Sequence, residues 1–200
     1  MRNFTMTGFR EQNYAQSEDI MQKFMKAWYA HDLGSITSED AGVLRECWTC
    51  SKSGNNLRRI VENVGWHTGN DPESILQQII DLPGFLTKRE RWYTQRIRLK
   101  TLLAYRGCEG ADDLGFSWTL SRDVAAFFAG RIQNGQIVTA RVAADAWLDT
   151  AEHEVIALSP NKQDILSVEA AREPGWMDRD FWENRPIILP TQNIISSGPI

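Results

Sequence analysis

The second half of the chain contains a pair of carboxylates, a pair of hydroxyls and a single cation, and one residue separates the members of each pair. Glu152 and Glu154 are separated by a single residue, as are Ser117 and Thr119, and Arg106 directly precedes a glycine. Side chains alternate across a β-strand, so each pair is expected to project from one face of a strand. The two carboxylates can then act together, and a cation at a strand end can meet a ligand at the rim of a sheet. This grouping is typical of a functional site rather than of a core.

The strands that must position these residues are predicted from apolar alternation. In residues 116–120 the bulky side chains share the face opposite to the two hydroxyls, and in residues 102–106 the arginine shares a face with apolar side chains. Residues 137–142 form a third predicted strand, and the segment around the glutamates, through residue 160, forms a fourth. Residues 187–189 are a plausible last strand.

Taken in order, these short patterns resemble the motifs of one enzyme family. Arg106, the Ser-x-Thr at residues 117–119 and the Glu-x-Glu at residues 152–154 look like the Arg, Ser-x-Ser/Thr and Glu-x-Glu motifs of the arginine-serine-glutamate class of ADP-ribosyltransferases. The resemblance covers residues 102–160, and residues 123–129 within it look like the helix that follows the serine motif. Each motif is weak alone, and the ordered set carries the resemblance.

The resemblance implies an α+β fold, namely an ADP-ribosyltransferase-like split β-sandwich with an N-terminal helical layer. We expect a single domain over residues 1–200, with a mainly helical accessory part at 1–100 and a sheet-rich catalytic part at 101–200. Capping residues and apolar periodicity predict helices that begin near residues 17–19 and 37–40, cover residues 57–64, and begin again at residues 71–73.

The resemblance also implies a role for each motif residue in cleavage of NAD+, the co-substrate of the family. Glu154 is the expected catalytic carboxylate, which bonds the ribose 2′-hydroxyl and stabilises the developing cation. Glu152 orients or deprotonates the acceptor. Arg106 holds a phosphate or the nearby NAD-binding backbone through its planar donor fork. Ser117 fixes the rotamer of Glu154, and Thr119 supports the strand.

Further contacts follow from the same resemblance. Gly107, Trp118 and Phe128 complete the expected NAD+ contacts, although an apolar helix face that includes Phe128 is more often part of a core. The segment before the glutamates is interpreted as a loop that helps to select the acceptor, which makes Trp147 and Asp145 candidates for acceptor contact. An anchor packed on the core is the alternative for Trp147.

Composition limits the remaining possibilities. The net charge of −4 suits a soluble protein, and no apolar run approaches the length of about 18 residues that a membrane span needs. We therefore expect a cytoplasmic protein that does not contact a membrane. The three cysteines are expected to be reduced. Cys47 and Cys50 have the spacing of half a zinc site, but two small apolar positions on a helix are the favoured interpretation. No metal is required by the expected chemistry.

One segment is strongly basic. Residues 88–100 carry six cations and one carboxylate, a local charge of +5 that leaves −9 for the rest of the chain. Trp92 and Tyr93 lie among these cations. The cations could contact the phosphates of a nucleic acid, and the two rings could stack on its bases. A solvated helical face is the alternative, and it is the commoner meaning of a charge run.

The expected function is that of a mono-ADP-ribosyltransferase that cleaves NAD+ and transfers ADP-ribose to an intracellular macromolecule. A protein side chain and a nucleic acid are both open as acceptors. Such an enzyme suits a toxin or a phage-conflict effector, and an antitoxin-like partner is then plausible. An NAD+ glycohydrolase and a non-catalytic binding module of the same fold are the alternatives.

A substitution at Glu152 tests the division of labour between the two carboxylates. We predict that Glu152→Ala lowers transfer of ADP-ribose more than hydrolysis of NAD+, because only transfer needs the acceptor to be oriented. Labelled ADP-ribose on the acceptor and free ADP-ribose are measured in one reaction. An equal loss of both activities would remove the acceptor role from Glu152.

Overall fold

The computed structural model describes residues 19–49, 69, 71–98, 100–110, 115–150, 153–158, 164–171 and 187–196. The chain divides into two compact units, Met1–Thr87 and Lys88–Ile200. The helix that follows Thr87 therefore belongs to the sheet-containing unit, although the sequence suggested a change of character near residue 100. The predicted packing of the helical part on the sheet stays a prediction.

The described part of the first unit is helical. Helix α1 covers residues 19–29, α2 covers Ser38–Thr49 and α3 covers Pro72–Asp81, with a short 3-10 helix at Leu33–Ser35 between the first two. These three α-helices agree with the sequence predictions, while the helix predicted at residues 57–64 lies outside the described residues.

Polar side chains start two of these helices. Asp71 caps α3 by accepting a hydrogen bond of 2.8 Å from the backbone of Glu73, and a proline follows at the first helical position. In the first turn of α2, the Asp40 carboxylate accepts bonds from the backbone and the hydroxyl of Thr37, the residue before the helix. A hydrogen bond from Lys23, reinforced by those from Thr37, lowers the pKa of Asp40 to about 2.

Over its described residues the second unit combines two α-helices and a 3-10 helix at Pro190–Asn193 with a seven-stranded antiparallel sheet, so the protein has an α+β fold. Helix α4 covers Lys88–Ile97 and helix α5 covers Arg122–Ala129. The strands are β1 Thr101–Cys108, β2 Ser117–Thr119, β3 Gln136–Ala143, β4 Ala146–Leu148, β5 Glu154–Ile156, β6 Asp164–Ala170 and β7 Ile194–Ser196.

Strand β1 is central to the sheet. The main strand order is β4-β5-β2-β1-β3-β6, and β7 also pairs with β1. Strand β3 pairs with β1 along its whole length, so β2 and β7 must share the opposite edge of β1. Strand β7 pairs near Thr101, whereas β2 pairs at Tyr105. The C-terminal half of β1 therefore lies beside β2, which in turn pairs with β5, and these two short strands carry Ser117 and Glu154.

The two faces of the sheet bury different sets of side chains. One face forms the main core, to which α4 contributes Ile97 and the sheet contributes Leu102, Ala104, Trp118, Val138, Ala140, Val142, Trp147 and Val155. Helix α5 covers the other face, where Ala125 and Ala129 pack with Ile137 and Tyr105. Alternation along β1 produces this division, because Leu102 and Ala104 point one way and Tyr105 points the other.

Three parts of the sheet differ from the sequence predictions. The expected loop at residues 143–150 contains β4, whose three residues are all buried. Residues 187–189 are not a strand, and the last strand is β7. Strand β6 was not predicted, because all seven of its residues are exposed and no burial pattern marks it.

Gly107 allows helix α5 to approach β1 closely. A Cβ atom built at this position would lie 2.2 Å from the carbonyl oxygen of Ala125 and 2.5 Å from the backbone nitrogen of Ala129. Both atoms belong to the helix backbone and cannot move independently of the helix. Gly107 is therefore a packing residue between strand and helix, which is a sufficient reason for a glycine there without any contact to NAD+.

We predict that Gly107→Ala destabilises the protein by about 1–3 kcal/mol, since the new methyl group must displace the backbone of α5. In thermal unfolding this corresponds to a fall of several degrees in Tm. Gly110→Ala is the matched control, because a Cβ at Gly110 meets nothing within 4 Å. An equal Tm for the two variants would contradict the close packing.

Candidate active site

Ser117 and Glu154 meet across two adjacent strands. Strands β2 and β5 pair with Thr119 opposite Glu154, which puts the hydroxyl residues and the glutamate on the same face. The Ser117 hydroxyl donates a hydrogen bond of 2.5 Å to Oε1 of Glu154. Glu154 is only 4% exposed. The predicted bond that fixes the rotamer of Glu154 is therefore present, although the two residues stand 37 positions apart in the sequence.

Arg106 reaches the same serine from the opposite face of the sheet. The pairing of Tyr105 with Thr119 puts Tyr105 on the Glu154 face, so the neighbouring Arg106 belongs to the other face. Its Nη1 atom donates a hydrogen bond of 2.6 Å to the carbonyl oxygen of Ser117. The structure thus shows a contact of Arg106 with the backbone of Ser117, while its part in binding NAD+ stays a prediction. Ser117 therefore accepts a hydrogen bond from Arg106 at its carbonyl oxygen and donates one to Glu154 from its hydroxyl.

The segment before Ser117 is fixed by the same cation and by an indole. A Cβ atom at Gly115 would lie 2.6 Å from Nη2 of Arg106, so the guanidinium lies directly against the glycine backbone. The Trp118 indole N–H donates a bond of 3.1 Å to the carbonyl oxygen of Gly115. Trp118 is 2% exposed and belongs to the main core. Trp118 therefore anchors the strand from the core side, and the predicted contact of this residue with NAD+ stays a prediction.

Thr119 connects β2 to helix α5. Its hydroxyl oxygen accepts a hydrogen bond of 3.0 Å from the backbone of Ser121. Ser121 in turn caps the helix by accepting a bond of 3.4 Å from the backbone of Val124. The supporting role predicted for Thr119 agrees with these bonds, and the start of α5 is tied to the strand that carries Ser117.

Strand β5 begins at Glu154, and the residue before it breaks the pleat. His153 has φ of 49°, in the left-handed region that non-glycine residues seldom adopt. Its backbone N–H donates to the carbonyl of Thr150, and its carbonyl accepts from Leu120. The alternation that was expected to align Glu152 with Glu154 therefore does not extend past His153. Glu152 itself lies outside the described residues.

The two candidates for acceptor contact have structural roles. Trp147 lies on β4, is fully buried in the main core, and packs edge-to-face on Tyr93 with ring centroids 5.1 Å apart. The Asp145 carboxylate accepts a bond of 2.7 Å from the backbone of Leu158. The interpretation of Trp147 as a core anchor is therefore correct, and acceptor contact by these two residues is not supported.

Phe128 lies on the face of α5 that approaches β1. Its Cβ atom would be 3.0 Å from a Cβ at Gly107, and its ring packs on Phe127 with centroids 5.4 Å apart. The side chain is partly exposed. Phe128 lies on the Glu154 side of the sheet and retains an accessible surface, so its predicted contact with NAD+ stays a prediction.

A buried carboxylate on α4 was missed by the sequence analysis. Glu90 is fully buried, and its Oε1 atom accepts a bond of 2.7 Å from the backbone of Asp149, while Arg89 pairs with the Asp149 carboxylate at 3.0 Å. One turn further along, the Thr94 hydroxyl accepts from the backbone of Trp147. Helix α4 thus holds the segment that leads towards Glu154. The spacing of Glu90, Thr94 and Ile97 on one helical face was the available signal.

The part of the chain that the structure describes has neither a metal-binding cluster nor a membrane-spanning helix. It contains no group of three or more histidine, cysteine, aspartate or glutamate side chains placed to hold a metal ion. None of its helices is both long and apolar enough to cross a membrane.

No protein-family model matches the chain, and comparison with curated proteins and with solved structures gives no match either.

A substitution at Arg106 tests whether the guanidinium is needed to hold Ser117. We predict that Arg106→Lys lowers kcat/KM for NAD+ by about tenfold or more, because a charged hydrogen bond to the Ser117 carbonyl is worth roughly 1.5–3 kcal/mol and lysine lacks the planar fork. Nicotinamide release at several NAD+ concentrations measures the effect. Arg141→Lys, on an exposed ion pair with Asp164, is the control. Equal kcat/KM for the two variants would contradict this role.

Proposed function

We propose that this protein is an NAD+-dependent mono-ADP-ribosyltransferase whose catalytic carboxylate is Glu154. The observation that carries the proposal is the convergence of the three motifs on Ser117, which contacts Arg106 through its carbonyl and Glu154 through its hydroxyl. The motifs are scattered over about fifty residues of sequence and lie on three different strands. An α+β unit with an antiparallel sheet is compatible with the split β-sandwich that we propose as its fold.

The chemistry follows from the position of the carboxylate. Cleavage of the bond between nicotinamide and the ribose C1′ sends the bonding electron pair to nicotinamide and leaves an oxocarbenium-like cation on the ribose. Glu154, with its carboxylate oriented by Ser117, supplies negative charge to that cation. A charge pair at about 4 Å with an effective dielectric of 20 is worth roughly 4 kcal/mol, on the order of a thousandfold in rate when the interaction is felt mainly in the transition state.

Transfer completes the reaction. A nucleophilic atom of the acceptor forms the new bond to C1′, and its proton passes to a base, for which Glu152 is the proposed group. Water in the place of the acceptor gives free ADP-ribose, which is the glycohydrolase alternative. We further propose an intracellular acceptor. Unrestrained transfer inside a cell would be toxic, so a protein that inhibits the enzyme in its own host is a natural partner.

The decisive variant removes charge and keeps shape. We predict that Glu154→Gln lowers nicotinamide release from NAD+ by at least about a hundredfold, because the amide cannot stabilise the ribosyl cation. Release is measured by chromatography with purified protein. Glu109→Gln, at an exposed position beyond β1, is the matched control and should retain full activity.

Near-normal turnover by Glu154→Gln would contradict the assignment. Release that is abolished in this variant, with no label on any macromolecule in the wild type, would favour the glycohydrolase. Failure of the wild type to bind or cleave NAD+ would favour a binding module of the same fold.

A further inference from the structure

Helix α4 presents a continuous cationic and aromatic stripe on its outer face. The stripe consists of Lys88, Arg91, Trp92, Gln95 and Arg96, which follow the spacing of one helical face and are all exposed. No carboxylate belongs to it. The only glutamate of the helix, Glu90, points to the opposite face.

The inner face of the same helix fixes the orientation of the stripe. Glu90, Thr94 and Ile97 are buried. Glu90 and Thr94 accept backbone bonds from the segment around β4, at 2.7 Å and 3.1 Å. Rotation of the helix would break both bonds and expose Ile97. The outer stripe is therefore held facing solvent by contacts that are independent of its own residues.

Trp92 makes this surface more than a solvated charge run. Its side chain is 47% exposed, which is unusual for the largest apolar residue. The Arg96 guanidinium stacks on the ring at 3.2 Å from its centroid, and Tyr93 packs against it with ring centroids 4.6 Å apart. These contacts hold the indole in place beside a cation, as a preformed stacking platform.

We propose that the outer face of α4 binds single-stranded nucleic acid. Cations contact the phosphates, and a base stacks on Trp92, which is the combination that single-strand binding proteins use. The stripe is about 12 Å long at 1.5 Å rise per residue, and its three cations, Lys88, Arg91 and Arg96, can each contact one phosphate of a short single strand. Outside the basic segment the chain carries a net charge of −9, so the cations of this segment offer a polyanion a localised site. A duplex hides its base faces, so the exposed indole favours a single strand.

This binding is separate from the proposed NAD+ cleavage and is measured without NAD+. Fluorescence anisotropy of labelled 10-nucleotide oligo(U) and oligo(dT) is followed as the full-length protein is added. With about three phosphate contacts, the affinity should fall about twentyfold between 50 mM and 200 mM salt. A labelled duplex of the same length should bind more weakly, and labelled polyglutamate should not bind.

Two variants test the two parts of the surface. Trp92→Ala should weaken oligo(U) binding by about tenfold through the loss of stacking. Lys88→Ala/Arg91→Ala should weaken it by a similar factor and flatten the salt dependence. The control is Arg122→Ala/Arg141→Ala, which removes the same charge from two exposed ion pairs elsewhere in this unit and should bind like the wild type. Thermal unfolding of each variant checks that the fold is intact.

Three results would overturn the proposal. The first is the absence of binding to both oligonucleotides at 50 mM salt. The second is polyglutamate binding as tight as that of oligo(U), which would make the surface a general polyanion site. The third is equal binding by the Trp92→Ala variant and the wild type, which would mean that no base stacks on Trp92 and that binding is only electrostatic.

Discussion

The candidate site depends on how Ser117 is held. Its carbonyl oxygen accepts a hydrogen bond from the Arg106 guanidinium on one side of the sheet, and its hydroxyl donates one to the Glu154 carboxylate on the other side. Strand β2 is only three residues long, so its own ladder bonds cannot fix it tightly. The arginine and the Trp118 indole supply the missing anchors through Gly115 and Ser117. These contacts add to the pairing of β2 with β1 and β5 in holding the serine where it can orient the glutamate.

The two helices of this unit support the site from different directions. Helix α5 starts from a cap that is bonded to Thr119 and packs so closely on Gly107 that no side chain fits between them. Helix α4 holds the segment before β5 through a buried carboxylate. The same helix carries the cationic stripe on its outer face. Helix α4 thus has two roles: its inner face supports the segment before Glu154, and its outer face is the surface proposed to bind single-stranded nucleic acid.

The sequence predicted those parts of the fold that follow a regular period. Alternation located β1, β2 and β3, and it correctly separated the Trp118 side from the Ser117 side. It failed at His153, because a left-handed residue ends the pleat, and that conformation is uncommon even for histidine, although histidine adopts it more often than most side chains do. It also missed β6, whose exposed residues have no burial pattern. The sequence suggested a backbone partner for Arg106 but could not identify the Ser117 carbonyl, since alternation gives the face of a side chain and not its partner.

The central claim is that the Arg106, Ser117 and Glu154 site transfers ADP-ribose, and its most direct test uses NAD+ labelled on the adenylate. The protein is incubated with this NAD+ and a cell extract, and label is followed into macromolecules after treatment with protease or with nuclease. We expect incorporation that falls sharply with Ser117→Ala, because the glutamate then loses the hydrogen bond from the Ser117 hydroxyl. Incorporation that is unchanged in this variant would contradict the role of the site, and no incorporation at all would contradict transfer.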